Sequence, residues 1–150
     1  MENEKIIAVL NNLIQINNDR IEGYKTASEE TKEADLKELF SQFQATSFVL
    51  NSELRTEVSL LGGTPTEDTR ITGKFFRVWM DVKAALTGND RKTILESCEY
   101  GEDVAKKTYQ DTLENEIENL SSNQQSMLKD QYASLVEDHN KVKSMIEKLT

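Results

Sequence analysis

One histidine, His139, stands among 150 residues, so any mechanism that needs an imidazole must use it. At about 100° per residue, His139 falls in the apolar stripe of a helical pattern, beside Leu135, Val136 and Val142. The preceding pattern carries Ile94, Cys98, Ala105, Tyr109 and Leu113 on one face. Glu102 falls inside that stripe, and Glu99, one turn earlier, points further toward solvent. Folding the chain back at Leu120 brings Glu102 and His139 to the same level on facing helices, with Tyr109 opposite Tyr132. An inward carboxylate facing an inward imidazole supports two readings. One is a buried, hydrogen-bonded pair, joined by Tyr109 or Asn17, that fixes the packing. The other is a mononuclear metal site built from Glu102, His139, water and Glu99. Hydrolysis by paired carboxylates has less support, because Glu99 and Glu102 share one helix. No Ser-His-Asp order, phosphate loop, GxGxxG or HExxH motif occurs. Cys98 lacks a CxxC partner and reads as a small core hydrophobe.

These residues need long helices to position them, and the sequence has four such patterns, each on the order of 25 residues or roughly 40 Å. The first runs from about Glu4 to Ser28, with Ile7, Leu10, Ile14, Asn17, Ile21 and Tyr24 recurring every three or four residues. The second starts at Asp35, where Asp35-x-x-Glu38 predicts a capping box, and continues to Leu61, with Gly62-Gly63 as its cap. The third, capped by Asp90, runs to about Glu118. The fourth opens at Ser121-x-x-Gln124, a second capping box, and carries Leu128, Tyr132, Leu135, Val142, Ile146 and Leu149. Short links at 31–34 and 119–121 predict two antiparallel hairpins. The long crossover, 62–89, holds Pro65 and a short helical pattern with Phe75, Phe76, Trp79 and Met80. Its length allows the third helix to return parallel to the second. The expected fold is all-α: one four-helix-bundle domain over residues 1–150.

Charge narrows the choice of partner. The chain has 18 Lys+Arg against 27 Asp+Glu, a net charge of −9, which argues against nucleic acid, where affinity comes from basic side chains. The crossover region is the exception. Arg70, Lys74, Arg77, Lys83, Arg91 and Lys92 outnumber Asp81 and Asp90 there, and the expectation is a basic strap on an acidic bundle. No stretch approaches a membrane span, and Met1-Glu2-Asn3-Glu4-Lys5 does not read as a signal peptide. The expectation is a cytoplasmic protein with no membrane association.

The stretches Leu36-Lys-Glu-Leu-Phe40, Trp79-Met-Asp-Val-Lys-Ala-Ala-Leu-Thr-Gly88, Cys98-Glu-Tyr-Gly-Glu-Asp103 and Glu137-Asp-His139 resemble the small uncharacterised bacterial ferritin-like four-helix-bundle proteins, a domain-of-unknown-function family. The resemblance spans nearly the whole chain. It implies a ferritin-like bundle with no established reaction and a stress-associated setting.

Dinuclear ferritin-like centres take a Glu from each of two helices and a Glu-x-x-His from each of the other two. Here Asn17-x6-Tyr24 takes the place that Glu102-x6-Tyr109 holds in the second half, and the same interval separates the two pairs, an internal repeat. The second helix has no His, its inward positions reading Gln44-x-x-Ser47 or Asn51-x-x-Leu54, and Val136 stands where a Glu would precede His139. Only Glu102 and His139 survive of about six ligands, which excludes a dinuclear centre. The sequence therefore predicts a non-enzymatic structural or interaction bundle, without a cofactor, whose partner is an unidentified protein or a second copy. The alternative is a metal-binding protein or weak oxidase that holds iron, manganese or zinc through Glu102 and His139.

Overall fold

The computed structural model describes residues 2–67 and 91–149. Within them lie four α-helices: α1 (Glu2–Glu30), α2 (Ala34–Leu60), α3 (Arg91–Asn115) and α4 (Ser122–Glu147). A 3-10 turn, Ile117–Asn119, separates the last two. The expected cap at Asp90, the short helix at Phe75–Met80 and the basic strap lie outside the described residues, apart from Arg91 and Lys92. Among the described residues no helix is long and apolar enough to cross a membrane.

Side-chain bonds fix the directions of the helices. Asn3 reaches the Leu61 carbonyl while Asn51 reaches Asn18, so α1 and α2 are antiparallel. Tyr109 bonds Gln131 while Asp103 meets His139, so α3 and α4 are antiparallel too. Between the hairpins, Asn17 pairs with Tyr109 and Arg20 with Glu102, which runs α1 against α3. Helices α2 and α3 are therefore parallel. Consistently, Arg91 at the start of α3 pairs with Glu33 and Asp35 at the start of α2.

The ends of the helices follow local chemistry. Ser121 accepts from the Gln124 amide while the Gln124 side chain accepts from the Ser121 amide, and the expected capping box starts α4. The box expected at Asp35 does not form. Helix α2 starts one residue earlier, after Glu33, and the Asp35 carboxylate bonds Arg91 and the Leu36 amide instead. At the other end of α2, the Gly62 amide bonds the Ser59 carbonyl and the Gly63 amide bonds the Val58 carbonyl. This Schellman closure needs the left-handed φ of +85° that Gly62 supplies. Gly63 is favoured for a different reason: a Cβ there would fall 2.8 Å from Ile7, whose side chain would have to shift.

The apolar stripes meet in two separate clusters. One gathers Leu10, Leu13, Ile14, Leu50, Leu54, Val58, Leu128 and Leu135 near the α3–α4 turn. The other gathers Leu36, Leu39, Phe40, Phe43, Ile94, Leu95, Cys98 and Val142 near the α1–α2 turn. Between them lies a polar layer, and the candidate residues are there.

Candidate functional site

Position 20 lies one turn beyond Asn17 and one turn before Tyr24 on α1, so helical spacing carries Arg20 onto the inward face. Its side chain is 1% exposed. A guanidinium taken out of water must find acceptors, and three helices provide them. Nη2 donates to Glu102 Oε1 at 2.7 Å and Asp138 Oδ2 at 3.2 Å, and Nη1 donates to Ser47 Oγ at 2.6 Å. Tyr24 donates to the same Glu102 oxygen at 2.5 Å, and its ring centroid lies 5.5 Å from the Arg20 Cζ.

The hydrogen bonds continue through the layer. Ser47 donates to Asn17 Oδ1 at 2.9 Å, and Asn17 donates to the Tyr109 oxygen at 2.8 Å. Tyr109 donates to Gln131 Oε1 at 2.8 Å, and Gln131 donates to the Leu50 carbonyl and Glu53. Donors thus point one way from a buried cation on α1 to a carboxylate on α2, passing through all four helices. Arg20 Nε and Glu102 Oε2 are buried without a hydrogen-bond partner.

The electrostatics follow from burial. Desolvation works against the charged form of Arg20, but the charge of Glu102, with smaller help from Tyr24 and Asp138, outweighs it and holds the guanidinium protonated beyond its ordinary range. Burial pushes the Asp138 carboxyl up, and Arg20 only partly offsets this. Burial also raises both phenols, Tyr24 further through the charge of Glu102, so each remains a proton donor. The layer can fix helix register and hold charge. It lacks the donors for a dinuclear metal centre, because Asn17, Ser47, Asn51 and Gln131 are neutral and Arg20 already supplies a positive charge.

Glu102 and His139, the two residues singled out for metal binding, are both inward, as the helical stripes require. They have different contacts. Glu102 is fully buried and bonded to Arg20 and Tyr24. His139 is 8% exposed and its Nε2 lies 2.9 Å from Asp103 Oδ1. That approach lacks hydrogen-bond geometry, and neither ring nitrogen has a hydrogen-bond partner. The expected hydrogen-bonded Glu102–His139 pair is thus replaced by two neighbouring contacts. Neighbouring residues meet at one level, and Asp138, not His139, shares Arg20 with Glu102. Likewise Tyr109 bonds Gln131, and Tyr132 accepts from Gln110 instead. Glu99, Asp103 and His139 form a further group, with one ligand atom from each lying within 4.8 Å of the others.

Cys98 packs in the second apolar cluster with no exposure, and burial, followed by the charge of Glu102, pushes its thiol well up. Little thiolate exists at neutral pH. Cys98 is expected to resist a thiol reagent in the native state between pH 6 and about 9 and to react fully in denaturant. Alkylation that follows pH in the folded protein, as it does for a free thiol, would contradict this burial.

Together these features define an all-α, antiparallel helical bundle whose two apolar clusters are divided by an ion-paired polar layer. Residues 5–115, from the first turn of α1 to the end of α3, match the family described as "Domain of unknown function (DUF2383)". The chain belongs to that family. No curated protein matches it.

Proposed function

We propose that this chain is a non-enzymatic structural or interaction bundle, a single ferritin-like domain over 1–150 in which a degenerate metal position is filled by a buried ion pair. The observation that carries the reading is Arg20 Nη2 at 2.7 Å from Glu102 Oε1, both side chains buried. A fixed guanidinium opposes a second cation at that carboxylate, and Tyr24 takes the same oxygen. The acidic charge of −9 supports a protein partner or a second copy rather than nucleic acid. The bacterial, cytoplasmic and stress-associated setting implied by the resemblance belongs to this proposal.

One observation favours a second reading, metal binding or weak oxidase activity through Glu102 and His139. Glu102 Oε2 and both His139 nitrogens are buried without hydrogen-bond partners. Metal analysis of untagged protein, with an assay of ferrous iron oxidation, separates the two. The proposal expects no oxidation above buffer and no metal that depends on Glu102. Stoichiometric metal or iron oxidation lost in Glu102→Gln would overturn it.

A further inference from the structure

The flank of the α3–α4 hairpin carries a cluster that the ion-paired layer does not use. Glu99 and Asp103 lie four residues apart on α3 and so project from one face. Helix α4 brings His139 against them, and the three ligand atoms lie within 4.8 Å of one another. A carboxylate pair alone would be an ordinary solvated acidic surface. His139 is different: it is 8% exposed, and although Nε2 lies at ion-pair distance from Asp103, neither ring nitrogen makes a hydrogen bond. Burying an imidazole in this way is costly unless something completes it.

The contact geometry shows what would do so. Nε2 and Asp103 Oδ1 are 2.9 Å apart, but they are not aligned as donor and acceptor. Two ligands that meet one cation at the tetrahedral angle, with bonds of about 2.0–2.2 Å, lie about 3.4 Å apart, so a small outward shift of the exposed Asp103 side chain would seat both on one ion. Imidazole with two carboxylates suits a divalent first-row cation, and nitrogen ligation favours zinc over manganese. Arg20, the nearby cation of the core layer, is occupied by Glu102, Asp138 and Ser47. The Asp103 side chain is 55% exposed, which gives an entry path and leaves coordination positions to solvent.

We propose that Glu99, Asp103 and His139 form a mononuclear, solvent-open site for a divalent cation of the zinc class. This goes beyond the structural role proposed above and is separate from the Glu102 position. The test is calorimetric titration of untagged, chelator-treated protein with Zn²⁺, alongside NMR of the imidazole signals, which only His139 can give. The expected result is one Zn²⁺ per chain, a shift of the His139 ring signals, and weaker binding of Mn²⁺. Asp103→Asn changes an exposed residue and leaves the core intact. It is expected to weaken binding strongly, and His139→Gln to abolish it, while folded Glu102→Gln still binds. No Zn²⁺-dependent shift of the His139 ring would overturn the site. So would binding unchanged in Asp103→Asn. Binding lost in folded Glu102→Gln but retained in Asp103→Asn would place the cation in the core, overturning both this site and the structural proposal. Simple absence of Zn²⁺ binding would overturn this site alone.

Discussion

Arg20→Met is expected to destabilise the fold by about 3–5 kcal/mol, because it leaves the buried Glu102 carboxylate without its counter-charge and with only the Tyr24 hydroxyl to bond it. The loss is a large fraction of the stability of an ordinary domain. Glu102→Gln should cost a similar amount for the opposite reason: the amide oxygen can still accept from Arg20, but the guanidinium keeps only Asp138 as a counter-charge. The revealing variant removes the charges together. Arg20→Met with Glu102→Leu and Asp138→Asn should recover most of the loss, since replacing a whole buried ion pair by apolar groups is often neutral or stabilising. Urea unfolding followed by circular dichroism measures all of these variants, and a double-mutant cycle isolates the coupling. An Arg20→Met variant within about 1 kcal/mol of the parent would show that the pair contributes little.

Phe43→Ala should be nearly as damaging, at about 3–5 kcal/mol. Phe43 is fully buried and meets the Tyr24 ring edge-on at 5.1 Å, while Phe40 stacks on the same ring at 5.7 Å. Removing the Phe43 ring opens a cavity beside the phenol that donates to Glu102, so the damage should spread from the apolar cluster into the polar layer. Phe48, five residues further along the same helix and so on another face, gives an internal control. It is 57% exposed, and Phe48→Ala should change stability by no more than about 0.5 kcal/mol. Comparable losses at the two positions would mean that the inward face of α2 is wrongly assigned.

Helix spacing alone reveals much of this arrangement. The three- and four-residue recurrence of Leu10, Ile14, Asn17 and Tyr24 identifies the inward face of α1, and the stripes of α3 and α4 correctly turn Glu102 and His139 inward. The two glycines after Leu61 and the Ser121–Gln124 box mark their helix ends because those caps depend only on adjacent residues. Asp35 misleads because its preferred partner, Arg91, is distant in sequence. At Arg20 the sequence signal is present but ambiguous. This residue occupies the same stripe as Asn17 and Tyr24, but an arginine is normally assigned to solvent because its burial is so costly. Only the simultaneous approach of Glu102, Asp138 and Ser47 offsets that cost, and sequence spacing does not show three-helix convergence. Nor does spacing fix helix rotation finely enough to distinguish Asp138 from His139 as the residue that meets Arg20.

The repeat that relates Asn17 and Tyr24 to Glu102 and Tyr109 is realised as an exchange. Tyr24 of the first hairpin donates to Glu102 of the second, and Tyr109 of the second accepts from Asn17 of the first. Each half completes the other, and the two halves are not equivalent. The first contributes the buried cation and a neutral amide, and the second contributes both acids that meet that cation. Two copies of the first hairpin pressed together would enclose two guanidiniums with no carboxylate from α3 or α4. Two copies of the second would confront Glu102 with another Glu102 and no arginine. Either self-pairing sets like buried charges against each other, whereas the native union sets the Arg20 cation against Glu102 and Asp138. The layer thus acts as a code for self-recognition within one chain: a hairpin exchanged between neighbouring molecules is accepted only where it meets its complement.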